Sequence, residues 1–206
     1  TLYVRLEVDE TGCYATTTQE LIVNPIPTVL VGPTYEVCDD DYDGIGSYDL
    51  STLDETLLDG QTGVSISYYE SQEDADNATN VLDVNYQNTV PDNQTLYVRL
   101  EVDETGCYAT TTQDLIVHPL AVIEVSDYEL CDYTNPGDLI EVFDITTKSD
   151  EIVNGQDVVL TYFTSLLDSQ NNTNPISNEE LAAYSNTEPT ETIYVTLEQN
   201  TTGCIT

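Results

Sequence analysis

"TLYVRLEVDETGCYATTTQ", residues 95–113, decides how this chain folds, and the same nineteen letters stand at residues 1–19. In its first half Leu96, Val98, Leu100 and Val102 fall on one side of an extended chain, and Tyr97, Arg99 and Glu101 on the other. Alternation of period two marks a strand with one face in a core and one toward solvent. Asp103-Glu104-Thr105-Gly106 supplies a turn, with glycine where a positive φ is needed. The threonine-rich run from Cys107 to Val117 then returns as the second strand of a hairpin.

The two copies continue as "ELIVNPIP" (20–27) and "DLIVHPLA" (114–121), and a diverged third, "TIYVTLEQNTTGCIT", starts at Thr192. The segments between them repeat more loosely. "VCDDDYDG" at Val37 answers to "LCDYTNPG" at Leu130, "SYDLS" at Ser47 to "VFDIT" at Val142, and "VSISYY" at Val64 to "VVLTYF" at Val158. A period of roughly 95 residues is too long for a solenoid and suits small tandem domains. The expected organisation is one complete repeat over residues 28–120 and a second over 121–206 that lacks its last strand. Residues 1–27 are expected to be the C-terminal hairpin of a preceding, truncated repeat, so that the chain is a window on a longer array.

"STLDETLLDG" (51–60) has a Ser/Thr start and a glycine stop, and "SQEDADNAT" (71–79) places Ser71 and Asp74 at capping-box spacing; both predict short connecting helices. Roughly seven short strands in each repeat of ~93 residues point to an all-β fold of tandem immunoglobulin-like β-sandwich domains arranged end to end. The joints "NPIP" and "HPLA" are short and carry proline, so free swinging is not expected.

Three basic residues (Arg5, Arg99, Lys148) face 39 acidic ones, a formal charge of −36. Nucleic acid and anionic lipid need Lys and Arg to displace counterions, and this surface excludes both as partners. Such charge often accompanies disorder, but 39% apolar content, 15 tyrosines and the clean alternation argue for a folded chain. No run approaches the ~20 apolar residues of a membrane helix.

Five cysteines stand at 13, 38, 107, 131 and 204. Pairing within repeats, Cys38–Cys107 and Cys131–Cys204, leaves Cys13 to a partner outside the chain; pairing across them, Cys13–Cys38 and Cys107–Cys131, also leaves one over. In an immunoglobulin-like sandwich the second and penultimate strands run toward the same end, which favours the pairing within repeats. Bridges of this kind belong to an oxidising, extracytoplasmic setting, while buried free thiols are the alternative.

"DDDYDG" (39–44) spaces Asp39, Asp41 and Asp43 as D-x-D-x-D-G, which lets carboxylates converge on one hard cation. Leu50 stands where an EF-hand loop carries its bidentate glutamate, so Asp49 (or Asp54) is the candidate fourth ligand for Ca²⁺. The corresponding "DYTNPG" (132–137) keeps only Asp132, so the second repeat is expected to bind weakly or not at all. An acidic surface turn is the plain alternative. His118, the one histidine, lies in a joint where the other copy has Asn24, so no catalytic role is expected and the chain reads as a non-enzyme. Tyr3, Tyr97 and Tyr194 recur on the outer strand face and read as cross-strand packing partners. The sequons at Asn77, Asn93, Asn171 and Asn200 are expected by chance in a chain this rich in Asn and Thr.

The frame "CDDDYDGIGSYDLS", "SISYYESQEDADNATN" and "QTLYVRLEVDETGCYATTTQDLIVHPL" resembles the tandem repeats of very large surface proteins of gliding and other Bacteroidetes, exported by the type IX secretion system. The resemblance implies structural stalk repeats of a cell-surface adhesin or filament. Its partners would be neighbouring repeats, surface glycans or other chains of the filament. The alternative function is a carbohydrate- or protein-binding recognition module of a secreted protein.

Overall fold

A computed structural model describes all 206 residues. The chain is mostly strand with a few short helices, and it forms an all-β, tandem β-sandwich architecture. No helix is long and apolar enough to cross a membrane. One compact unit comprises Thr1–Tyr35, Tyr48–Tyr86 and Thr95–Leu115; the other comprises Glu36–Ser47, Gln87–Gln94 and Ile116–Thr206. Two loops of the first repeat thus belong to the same unit as the second repeat.

In the first unit β1 (Leu2–Glu7) and β2 (Tyr14–Gln19) form an antiparallel hairpin, with Leu2 opposite Gln19 and Glu7 opposite Tyr14. The larger sheet uses β3 (Tyr35–Cys38), β5 (Val64–Tyr69), β7 (Asn93–Val102) and β8 (Tyr108–His118), in the order β3-β8-β7-β5. The short β4 (Ser47–Asp49) pairs separately with β6 (Asn85–Gln87). The expected alternation holds along β7, where Leu96, Val98 and Leu100 are each fully buried. Across β5 and β7, Ile66 stands opposite Leu100 and Tyr68 opposite Val98; Tyr97 meets Tyr69 on the other face.

Both expected helical connections form. A 3₁₀ turn at Leu50–Leu53 runs into α1 (Asp54–Leu58), which inserts Leu50, Leu53 and Leu57 into the core. Helix α2 (Gln72–Asn77) starts where the Ser71 side chain accepts the Asp74 N–H. Its far end is closed by Arg99, whose Nη1 donates to the carbonyls of Ala75 (2.9 Å) and Asp76 (3.1 Å). Cations suit the carbonyl-rich end of a helix, and the guanidinium also lies 3.5 Å above the Tyr108 ring. Arg99 is buried beneath these contacts, although the alternation alone placed it toward solvent.

The second unit repeats the plan. Here β9 (Val142–Phe143) pairs with β11 (Tyr184–Ser185), and β10 (Val158–Phe163) with β12 (Tyr194–Gln199). Leu160 stands opposite Leu197 and Phe163 opposite Tyr194. Helices α3 (Ser149–Val153), α4 (Leu166–Asn171) and α5 (Asn178–Leu181) occupy the connections. The core gathers Ala121, Ile145, Ile152, Tyr162, Leu181 and Leu197. Burying each of the Ile and Leu side chains among these stabilises the fold by about 1.5–3 kcal/mol.

Candidate functional site

Strand β3 ends at Cys38, and the next residue hands the chain into the acidic loop. Asp39 is 3% exposed and acts as the loop's anchor. Its Oδ2 accepts the Gly44 N–H at 2.9 Å, and its Oδ1 accepts those of Asp41 (3.4 Å) and Asp43 (3.3 Å). Desolvation works against its charge, but the loop's converging N–H groups, Gly44's foremost, outweigh it and hold the carboxyl below its ordinary value. Asp41 goes the other way, raised by desolvation and by the neighbouring Asp43 carboxyl.

The loop can close this tightly because Tyr42 and Gly44 adopt left-handed conformations, φ 65° and 75°. A Cβ on Gly44 would also lie 2.8 Å from Asp92 Oδ1 and 2.9 Å from Pro91 Cβ. Asn88, buried, brackets the far side. Its amide donates to the carbonyls of Gly44 (2.9 Å) and Val90 (2.8 Å) and its oxygen accepts the Gly46 N–H at 2.6 Å.

The structure brings Asp39, Asp41 and Asp43 together, with one carboxylate oxygen from each within 4.8 Å of the others. Asp49 does not join them. It caps the 3₁₀ turn instead, accepting the N–H (3.1 Å) and hydroxyl (2.5 Å) of Ser51, so the expected fourth ligand is corrected to a cap. All three clustered donors are hard oxygens, the chemistry that suits Ca²⁺. Both Asp39 oxygens serve backbone N–H groups, and Asp43 Oδ1 accepts the Ile45 N–H at 2.7 Å. In the second repeat Asp132 Oδ2 still accepts the N–H of Gly137 at 2.5 Å. There Glu141, rather than the anchoring aspartate, receives the loop's N–H groups, those of Tyr133 (2.5 Å) and Thr134 (2.6 Å).

Cys38 itself is bonded to Cys204, with the Cα atoms 5.6 Å apart at a sequence separation of 166. This corrects both expected pairings, Cys38–Cys107 and Cys131–Cys204; Cys13, Cys107 and Cys131 are free thiols. The reason is strand direction. Asp39 N–H donates to the His118 carbonyl at 2.8 Å, so Cys38 lies by the last residue of the eleven-residue β8. Cys107 precedes the first. At ~3.3 Å per residue the two ends of that strand are about 33 Å apart, far beyond the ~7 Å that a bridge spans.

The joint that follows β8 is hydrogen-bonded along its length. The His118 carbonyl takes the Asp39 N–H, and that of Pro119 takes the Gln199 side chain at 3.0 Å. The Ala121 carbonyl takes the Tyr42 hydroxyl (3.2 Å) and the Thr206 hydroxyl (2.8 Å). The imidazole Nε2 of His118 meets Glu36 at 2.9 Å. None of Tyr42, Asn88, Gln199 or Thr206 was singled out by the sequence, since the contacts that give each its role are made with distant chain. Asn186 offered the one clue, being the counterpart of Asn88 and bonding the Leu139 and Glu188 carbonyls in the same way.

No curated protein matches the chain. A family model described as the Flavobacterium inter-domain disulphide bond domain matches twice, at residues 34–121 and 127–206. Cys38 falls in the first match and Cys204 in the second, so the bond joins one repeat to the next. With most of its length covered by two such matches and a disulfide linking them, the chain belongs to the Flavobacterium inter-domain disulphide bond domain family.

Proposed function

We propose that these repeats are a structural stalk or spacer of a large extracellular bacterial surface adhesin or filament of the gliding-motility, type IX-secreted kind, without catalytic activity of their own. The observation that carries this reading is the covalent tie between consecutive repeats through Cys38 and Cys204. A disulfide persists in oxidising compartments, and a spacer gains from having its modules fixed to each other. Near-identical copies of the hairpin, at 1–19 and 95–113, suit a role in which length counts more than any individual surface. Ca²⁺ held by Asp41 and Asp43, over the Asp39 anchor, would neutralise local charge in a chain of formal charge −36 and fix the loop that touches the Ala121 carbonyl.

Labelling of intact cells with antibody against this segment, alongside thiol trapping of the extracted protein, tests the location. Surface label with Cys38 and Cys204 oxidised is expected; a cytosolic, fully reduced pool would overturn the reading. For calcium, thermal unfolding is compared in millimolar Ca²⁺ and in chelator. A site filled at ten times its Kd stabilises by about 1.4 kcal/mol, and the double substitution Asp41→Ala, Asp43→Ala removes that gain. Equal midpoints in both buffers leave a solvated acidic turn and no cofactor.

A further inference from the structure

The two repeats part company between β10 and β11. The Ile176 N–H donates to the Tyr162 carbonyl at 2.8 Å, as the Leu82 N–H does to that of Tyr68 at 2.9 Å, so both chains leave from equivalent points. The first repeat then runs from Leu82 to Tyr86. The second runs from Ile176 to the counterpart Tyr184, a path four residues longer that folds as α5 and buries Leu181 in the core. A second difference lies beside it. In the first repeat Glu70 accepts the Tyr86 hydroxyl at 2.7 Å. Thr164 stands at that position in the second, and Tyr184 gives its hydroxyl to Glu191 at 2.5 Å instead. An open groove of about 560 Å³ lies here, lined by Thr164, by the loop after α4, by α5 and by β11. The residues that distinguish the second repeat are thus the ones that shape the groove.

Its polar groups are fixed from behind and keep acceptors unused. Glu180 Oε2 accepts the hydroxyl (2.7 Å) and N–H (3.0 Å) of Ser177, which hold the carboxyl below its ordinary value, while Oε1 is unpaired. Asn174, at φ 51°, donates its amide to Asp168 Oδ1 at 2.8 Å and leaves its own oxygen unpaired. The hydroxyls of Thr164 and Ser185 have no partner within the chain. The Tyr184 phenol, pushed up to about 12 by burial and by Glu191, stays protonated. Pro175, Ile176 and Ala183 add apolar surface. No Lys, Arg or His lines the groove, and a formal charge of −36 repels anions. One carboxylate falls short of the several oxygen ligands that Ca²⁺ takes. The chemistry left is an uncharged ring with several hydroxyl donors and an apolar C–H face. We propose that this groove binds a neutral sugar unit of a glycan. Glu180 Oε1 and Asn174 Oδ1 accept from its hydroxyls, Thr164 and Ser185 bond in either direction, and the ring's C–H face lies over Pro175, Ile176 and Ala183. The volume falls within the ~300–1,000 Å³ of small-ligand sites, and side chains already fixed lower the ordering cost of binding. The inference goes beyond the stalk reading and does not rest on it.

The test titrates maltose, cellobiose, lactose, mannobiose and diacetylchitobiose, up to tens of millimolar, into the isotope-labelled 206-residue chain and follows its amide NMR signals. At least one sugar is expected to give saturable shifts at Thr164, Ile176, Ala183 and Ser185, with a millimolar Kd that is the same in low and high salt. Glu70, Leu82 and Tyr86 of the first repeat should not move. Thr164→Glu, which restores the first repeat's residue, should abolish the shifts. So should Ala183→Tyr, which fills the groove from an exposed position. Glu180→Gln keeps an acceptor for the capping box but loses the charged one, and should weaken binding about tenfold. The amide spectrum of each variant reports directly whether it is folded. Absence of saturable shifts with all five sugars overturns the proposal, as do shifts that survive in folded Ala183→Tyr. Trilysine serves as a cationic probe. If it alone moves these amides, and high salt removes the effect, the groove receives cationic side chains and the sugar assignment is wrong.

Discussion

Asn88 has no charge and no motif, yet it fastens the acidic loop through three hydrogen bonds from a buried position. Removing a side chain that satisfies buried backbone groups leaves them unpaired, at about 1–3 kcal/mol. Asn88→Ala should therefore destabilise the protein by about 2 kcal/mol in chemical denaturation, and Asn186→Ala by a similar amount. The two aspartates beside it set opposite pH dependences. The folded-state pKa of Asp39 is lowered, so its contribution is complete above the ordinary carboxylate value and disappears as pH falls through the lower, folded value. That of Asp41 is raised, so ionising it costs stability above the ordinary value, and this cost vanishes in acid. Melting temperatures followed from pH 6 to pH 2 should show a shallower acid loss in Asp39→Asn. Asp41→Asn should instead raise the midpoint near neutrality.

At the level of elements, one sequence occupies two environments. The hairpin β1–β2 and the first nineteen residues from Thr95 are identical in sequence. Leu100 is fully buried against the sheet, while its counterpart Leu6 is 76% exposed. Leu100→Ala leaves a cavity and should cost about 3 kcal/mol; Leu6→Ala, the same chemical change, should stay within about 0.5 kcal/mol. Urea melts of the two variants check this directly. The arginines diverge in the same way. Arg99 closes α2 from a buried position, whereas Arg5 pairs with Glu7 at 2.6 Å with more than half its side chain exposed. Alternation alone would have treated these pairs as equals.

For the whole molecule the governing feature is the Cys38–Cys204 closure. It restricts an unfolded loop of 166 positions, which in the chain-entropy model is worth about 5 kcal/mol. Reductant should lower the thermal midpoint by several degrees or more, and Cys38→Ser should lower it equally and make the protein insensitive to reductant. A variant Cys107→Ser should match the parent under both conditions, because that thiol is free in this chain.

Local physics made much of this protein readable. Period-two alternation, the Thr-Gly turns, the capped short helices and the repeat register are all properties of neighbouring residues, and they yielded the strands, the all-β class and the convergence of Asp39, Asp41 and Asp43. The cysteine pairing was not readable, because it depends on which end of β8 each thiol occupies. That follows from β3 running so that Asp39 meets His118, a contact between residues far apart in sequence. The role of Asp49 escaped for a related reason: a carboxylate can cap a helix or join a cluster, and only the path of the chain between Gly44 and Leu50 decides which. Sequence determined what each segment would become; the tertiary structure alone determined which segments meet, since contact across the fold is set by strand direction and not by spacing.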